Sequence, residues 1–501
     1  MAARDRETET NKLVILVAIC LAALVLPLSF SGGAVATPAI GQDLGGNPVA
    51  LNWITNAFML TFGSSLMAAG TLADRFGRKR LFTVGIGAFT CLSLVVSMAP
   101  SVVALDLLRA AQGFAAAAAL SGGSAALAQE FEGHARTKAF SALGTTFGVG
   151  LAFGPLLAGL LIETTGWRSV FLSSAMVGAL SLIFGLPRMR ESRNPHAAQV
   201  DWPGTITFTA TLTLFTFAVI QGPENGWINP KTIALFLGSV IMLAAFVAIE
   251  RRVARPMLDL SLFRYPRFVG VQTLPIATCY CYVVLLVLLP LRFIGIEGRS
   301  PIDAGLLLLA LSAPMLVVPI LAATLTHWFS AGVLSGVGLL IAAVGLFLLS
   351  RIDPGQDGAA AIMPMLVIGC GAGLPWGLMD GLSVSVVPTE RAGMATGIFS
   401  TTRVAGEGIA LAIVTAMLAE LTRAHLQALG LPAGSRLGDV AQSLANGDVE
   451  AASHLFPGVG RAVFMRSYAV SFQNLIYFLI GITVASAIAA FAFLRQKHMA
   501  D

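Results

Sequence analysis

Apolar runs of about 20 residues, separated by short polar or basic segments, recur along nearly the whole chain, and each is long enough to cross a hydrocarbon core about 30 Å thick. No alternation of the kind needed by a membrane barrel runs through them, and backbone groups in lipid must be bonded within their own segment. The pattern therefore predicts helices. Fourteen spans are expected, near 13–37, 51–72, 81–99, 103–128, 139–162, 168–187, 203–222, 232–250, 267–291, 302–326, 330–350, 360–387, 393–419 and 467–493. The first run follows Lys12 without a small-residue cleavage site, so it reads as a retained helix with a cytoplasmic N-terminus. The one long polar segment, about 420–466, contains the amphipathic string RLGDVAQSLANG, which predicts a short surface helix in a solvated external cap.

Composition agrees with this reading. Of 501 residues, 56% are hydrophobic and 11% charged, where a soluble domain carries about 25% charged residues. The chain is expected to be an all-α multi-pass membrane protein. Its basic residues concentrate between alternate spans, in DRFGRKR (74–80), PRMRESR (187–193) and ERRVARPMLDLSLFRYPRF (250–268), which puts those loops and both termini on the cytoplasmic side. The net charge of +5 thus reports topology and not a nucleic-acid partner. The five cysteines, Cys20, Cys91, Cys279, Cys281 and Cys370, are odd in number, fall within spans and are expected to be buried thiols. The histidines show no ligand spacing with them, so no metal is expected. A phosphate-binding G-x-x-x-x-G-K-[ST] string and a nucleophile with its base and orienting partner are both missing, which argues against ATP drive and against an enzyme.

Three strings carry the mechanism. The loop between the second and third spans reads GTLADRFGRKR. Gly70 and Gly77 suit close packing or unusual dihedrals, and Asp74, beside Arg75, is placed to cap a helix and pair with Arg78. The fourth span holds LDLLRAAQGFAAAAAL, with Arg109, Gln112 and Gly113. The fifth holds GVGLAFGPLLAG, in which Gly150, Gly154 and Gly159 permit close helix contact and Pro155 weakens the local ladder. In order and spacing these strings resemble the signature loop, the intramembrane arginine motif and the exporter motif of the major facilitator superfamily. VDWPGTITFT, RPMLDLSLFRYPRF and VPTERAGMATGIFSTTR narrow the likeness to its fourteen-helix drug/proton antiporters.

The resemblance covers nearly the whole chain and implies a six-helix bundle over 1–187, an inserted helix pair with its loops over 188–266, and a second bundle over 267–501 that includes the external segment 420–466. It also implies a shared site near the bilayer midplane, reached alternately from either side as the bundles rock. In the second bundle, ATLTHWFS stands where the first has GTLADRFG, with His327 for the acid and Trp328 for the arginine, so only the first loop is equipped as a conformational latch.

A charge at the centre of a span costs roughly 2.5–3.5 kcal/mol on insertion scales and needs a partner, water or a function. Five residues qualify: Asp106, Arg109, Asp380, Arg403 and Glu407. Asp106 with Arg109, and Arg403 with Glu407, are spaced for local ion pairs, and that structural reading stands beside a role in proton coupling. Relatives resembling L-D-x-T-I-V-N-V-A-L-P-x-I carry an acid in the first span. Here, counting back from Pro38 puts Ser29 at that position, while Glu407 stands where relatives commonly have glycine. Substrate contacts are expected from Ser29, Asn56, Gln112, Tyr280, Tyr282, Trp376 and Asp380, an aromatic and amphipathic set suited to bulky apolar ligands. The sequence thus points to a monomeric proton-coupled exporter of amphipathic organic compounds in a bacterial cytoplasmic membrane, with protons as the coupling ion and no other cofactor. The competing reading is a proton-coupled uptake symporter for a small metabolite.

Overall fold

The computed structural model describes residues 2–131, 133–193, 201–253, 256, 258, 260–355, 358–386, 392–431 and 435–494. Their regular structure is helical: α1 Ala2–Leu44, α2 Pro48–Phe76, α3 Arg78–Ser97, α4 Val102–Glu130, α5 Gly133–Thr165, α6 Arg168–Gly185, α7 Trp202–Asn225, α8 Pro230–Glu250, α9 Pro266–Thr278, α10 Val284–Pro290, α11 Pro301–Ser312, α12 Pro314–Leu325, α13 Ala331–Leu349, α14 Ala359–Ser385, α15 Ala392–Ala428, α16 Ser435–Ala445, α17 Val449–Leu455 and α18 Arg461–Phe493. Four helices open on an Asn, Asp or Ser cap with proline in the first turn. The side chains of Asn47, Asp201, Asn229 and Ser300 accept backbone N–H bonds at the starts of α2, α7, α8 and α11. Between α9 and α10 lies a π-helical turn, Cys279–Val283, and a second, Leu291–Ile296, carries this span past its expected end at 291.

Among the described residues, twelve helical stretches are long and apolar enough to cross a membrane, and the pair Ala142–Leu151 and Phe153–Thr165, bent by 41°, makes thirteen. The bend falls just before Pro155, whose ring removes a donor from the ladder of α5. The expected fourteen are not reached because α2 is not among the twelve. Asn52, Thr55, Asn56, Thr61, Ser64 and Ser65 lower its apolarity, although its 29 residues are long enough to span.

Helices α1–α6 pack chiefly among themselves, and α9–α15 with α18 do the same. The two groups meet along α2 with α15 and along α5 with α11. Small residues set these approaches. A Cβ on Gly63 would strike the backbone of Ala405, one on Gly159 the carbonyl of Pro301, and one on Gly305 the backbone of Leu156. The α7–α8 hairpin leans on α2 and α15 from outside.

Two expectations are corrected. The segment expected as a solvated cap is partly an extension of α15 to Ala428 and partly α16, which packs against α15, α7, α2 and α18 and whose residues 440–445, with 446 and 447 after it, are all buried. The amphipathic pattern identified the helix, but Gln442 and Ser443 on its polar side are covered as well. Of the cysteines, Cys279 and Cys281 are buried, whereas Cys91 and Cys370 are exposed on the outer surface of their helices, where a small, weakly polar thiol is tolerated.

Candidate functional site

In the first group of helices the polar residues form one closed knot. Arg109 on α4 is fully buried, and its Nε donates to the carbonyl of Ile54 on α2 at 2.9 Å. Its Nη1 donates to Ser29 Oγ on α1 and to Gln112 Oε1, both at 2.9 Å. Gln112 Nε2 donates in turn to Ser93 Oγ on α3 at 2.8 Å. Phe58 and Phe171 lie against the guanidinium, with ring centroids at 4.3 and 5.7 Å. Five helices (α1, α2, α3, α4 and α6) therefore converge on one arginine. The glycine after Gln112 lets α4 come this close, since a Cβ on Gly113 would collide with Thr61 Oγ1 and the carbonyl of Phe58.

This arrangement corrects two expectations. Arg109 makes no ion pair with Asp106, three residues away on the same helix, the two charges acting on each other only from a distance. Its donors go to neutral oxygens, and Asp106 Oδ1 is buried without a hydrogen-bond partner. Ser29 and Gln112 do not line an open wall, because both are fully buried and held by Arg109. Asn56 is 1% exposed, donates to the carbonyl of Asn52 at 3.0 Å and leaves Oδ1 unpartnered.

The second group is organised differently. Arg403 on α15 does not pair with Glu407 one turn along. Its Nη1 donates to both carboxylate oxygens of Asp380 on α14, each at 3.3 Å. The pairing follows exposure, since the Asp380 side chain is 55% exposed and keeps its hydration, whereas pairing with Glu407 would bury both charges. The Arg403 guanidinium also lies 5.6 Å from the ring of Phe399 and 5.7 Å from that of Phe147 on α5, a contact between the two helix groups. Glu407, 7% exposed, makes neither a hydrogen bond nor an ion pair among the described residues. Its neighbour Gly406 offers a carbonyl to Cys279 Sγ at 4.0 Å, which places the acid beside the π turn of the α9 span. On that turn Tyr282, fully buried, meets Trp376 edge to face at 6.1 Å, while Tyr280 is half-buried. Trp376 sits one turn above Asp380 on α14. Asp380 and Arg403 thus join α14 to α15, Tyr282 and Trp376 join the π turn to α14, and Gly406 brings the helix turn that carries Glu407 against the π turn.

The loop GTLADRFGRKR is held at its glycine. Gly77 has φ of +117°, and a Cβ there would collide with the carboxylate of Glu191. Glu191 accepts from the backbone N–H of Arg80 at 3.1 Å, while Arg78 donates from Nη1 to Gln129 at 2.9 Å and from its backbone to the carbonyl of Ser192. Arg75 stacks over Phe76. The side chain of Asp74 lies outside the described residues, as do residues 387–391 of VPTERAG. Gly70 makes no close packing contact among the described residues, none of which stands within 4 Å of where its Cβ would be. In the exporter string, Gly150 fits against the carbonyl of Leu24 and the ring of Pro27, Gly154 against Ser31, and Gly159 against Pro301.

Sequence reasoning missed three features. Phe147 carries no signal that it reaches Arg403. Gln272 on α9 is 6% exposed with both amide atoms unpartnered. Arg292 is 1% exposed, with Nε donating to Glu297 at 2.8 Å and Nη2 to the carbonyl of Ile352 at 2.9 Å, and Arg299 also pairs with Glu297. The string LLPLRFIGIEGRS carried that signal, but the expected span stopped at 291, five residues short of Ile296 and just before Arg292.

The family described as Major Facilitator Superfamily matches residues 19–411. The multidrug resistance protein Stp of Mycobacterium tuberculosis (strain CDC 1551 / Oshkosh) is 32% identical over 395 residues, covering 78% of this chain and 73% of that protein. The cephamycin export protein CmcT of Amycolatopsis lactamdurans is 31% identical over 474 residues, 93% of each chain. Among solved structures, a bacterial homologue of the human lysosomal transporter Spinster, inward-facing and unoccupied, superposes with a TM-score of 0.63 at 16% identity, covering 97% of this chain and 99% of that one. The xylose transporter XylE from E. coli, partially occluded and inward-open, gives 0.59 at 14% identity over 97% and 98%. At such identities the structural likeness bears on the fold alone.

Proposed function

The chain belongs to the major facilitator superfamily, and from that premise we propose that it is a proton-coupled exporter of amphipathic organic compounds, working by alternating access in a bacterial cytoplasmic membrane. Its relatives are named for resistance to and export of antibiotics, among them a tetracenomycin C exporter, a probable actinorhodin transporter and a puromycin resistance protein. Those names support export of organic antibiotic-type molecules, and Tyr280, Tyr282 and Trp376 offer aromatic surface for amphipathic ones.

The observation that carries the coupling is the state of Glu407. Arg403 is engaged by Asp380, so among the described residues the buried Glu407 on α15 has no hydrogen-bonded or ion-paired partner and feels the Arg403 charge only from a distance. Burial without a partner favours a carboxyl that takes up and releases its proton as its surroundings change. In this reading Glu407 exchanges the coupling proton while the Asp380–Arg403 pair sits at the mouth. Substrate and proton alternate at the second group's inner face. The Arg109 knot acts as the rigid post of the first group, since every donor it offers to the described residues is fixed by packing from several helices.

The test is transport in everted membrane vesicles loaded with a pH gradient of either sign, using an aromatic dye as probe. Acid inside should drive accumulation, and collapsing the gradient while ATP is maintained should abolish it. Accumulation that persists without the gradient would refute proton coupling, and accumulation driven by the opposite gradient would favour the uptake symporter.

A further inference from the structure

Helix α8 is the least enclosed of the candidate spans, with 17% of its most apolar stretch buried. One of its outer faces is a shallow groove of about 400 Å³ lined by Val240, Leu243, Ala244, Val247, Ala248 and Arg251. From Val240 to Arg251 the helix rises about 16 Å. That is close to one leaflet, half of a hydrocarbon core about 30 Å thick. The groove is therefore apolar over the depth of a leaflet and ends at an exposed guanidinium. The neighbouring acid does not cancel that charge, because Glu250 is turned inward and its Oε2 accepts the backbone N–H of Leu258 at 3.1 Å. Arg252, also exposed, adds a second positive charge at the same level.

We propose that this groove is a binding site for an anionic glycerophospholipid of the leaflet on the Arg251 side, expected to be the cytoplasmic one, with the phosphate on Arg251 and an acyl chain laid over Ala244 and Ala248. The competing occupant is a second copy of the chain, because Ala244 and Ala248 have the four-residue spacing that lets two membrane helices approach. Charge decides against it: a two-fold parallel pairing through this groove would set Arg251 against Arg251 at the same depth. An anionic headgroup neutralises the charge that a second copy would double.

The experiment uses the full chain in nanodiscs made of phosphatidylcholine with a minor fraction of either phosphatidylglycerol or phosphatidylcholine carrying a photoreactive acyl chain, followed by mapping of the labelled peptide. Phosphatidylglycerol should label the 240–251 stretch preferentially. Arg251→Gln should reduce that preference about fivefold, the effect of one basic residue at an anionic surface, and Arg251→Lys should restore most of it. Filling the groove with Ala244→Leu and Ala248→Leu should lower labelling by both probes. Equal labelling by the two lipids, unchanged by Arg251→Gln, would reduce the groove to ordinary bulk-lipid contact and overturn the proposal. So would crosslinking between copies through a cysteine placed at position 244. Arg251 is exposed and bonded only through its backbone among the described residues, so these variants test binding without a folding penalty.

Discussion

At the scale of single residues, the two intramembrane charges that matter most differ in how they are held, and the difference predicts different mutant behaviour. Arg109 is fully buried and bonded to two other helices, α1 and α2, so Arg109→Lys, which cannot reproduce the forked donors, should destabilise the protein by about 3–5 kcal/mol. A thermal unfolding curve in detergent reads this as a large fall in midpoint. Arg403→Gln leaves behind an Asp380 that is 55% exposed, so the pair it breaks is worth no more than about 1 kcal/mol, and its midpoint should barely move. Glu407→Gln breaks no hydrogen bond or ion pair among the described residues. It should express and unfold like the parent and bind substrate, yet fail to concentrate it when driven by protons. A Glu407→Gln protein that still pumps ends the coupling role, and one that fails to fold ends the reading of Glu407 as unpaired. The sequence exposes these charges because each stands out in an apolar run. It cannot show their partners, since spacing along one helix offers Glu407 to Arg403 while the partner that binds, Asp380, comes from another helix.

At the scale of helices, glycine positions separate packing from mere recurrence in a motif. A Cβ on Gly63 meets the backbone N and Cα of Ala405, atoms that cannot swing aside, so Gly63→Val should push α2 off α15 at a cost of about 1–3 kcal/mol and disturb transport. Gly70, within the most recognisable string of the chain, faces open space, so Gly70→Ala should be neutral or stabilise by up to about 1 kcal/mol through helix propensity. Unfolding midpoints of the two variants, measured side by side, check both expectations, and a collapse of Gly70→Ala would mean that this glycine packs in another conformation. Periodicity located nearly every helix, because a run of apolar residues is a local property. It did not locate α16 in space: RLGDVAQSLANG shows an apolar face, but part of what covers the helix comes from α7 and α2, distant in sequence. It also ended the α9 span too soon, since a π turn holds Leu291–Ile296 in the helix beyond Pro290.

At the scale of the whole molecule, two helix groups joined by α2 with α15 and α5 with α11 must part at one end if access alternates. The α5–α11 contact is the sharper place to test this, because Gly159 lies against Pro301 and Gly305 against the backbone of Leu156 near the end of α5, leaving no room for sliding without separation. A protein carrying Glu163→Cys on α5 and Ile302→Cys on α11, where the Glu163 carboxylate accepts the Ile302 N–H at 3.4 Å, with Cys91 and Cys370 first replaced by serine because they are exposed, should form a disulfide on oxidation. If this end opens during each cycle, the oxidised protein should bind substrate from the other side and transport none, and reduction should restore the rate. Arg403 reaching Phe147 from α15 to α5 is a third contact between the groups, made by a cation on a ring and therefore cheap to break and remake, as a contact in a moving interface should be. Full crosslinking with undiminished transport would show that the groups do not separate at α5 and α11, and would confine the motion to the α2–α15 side.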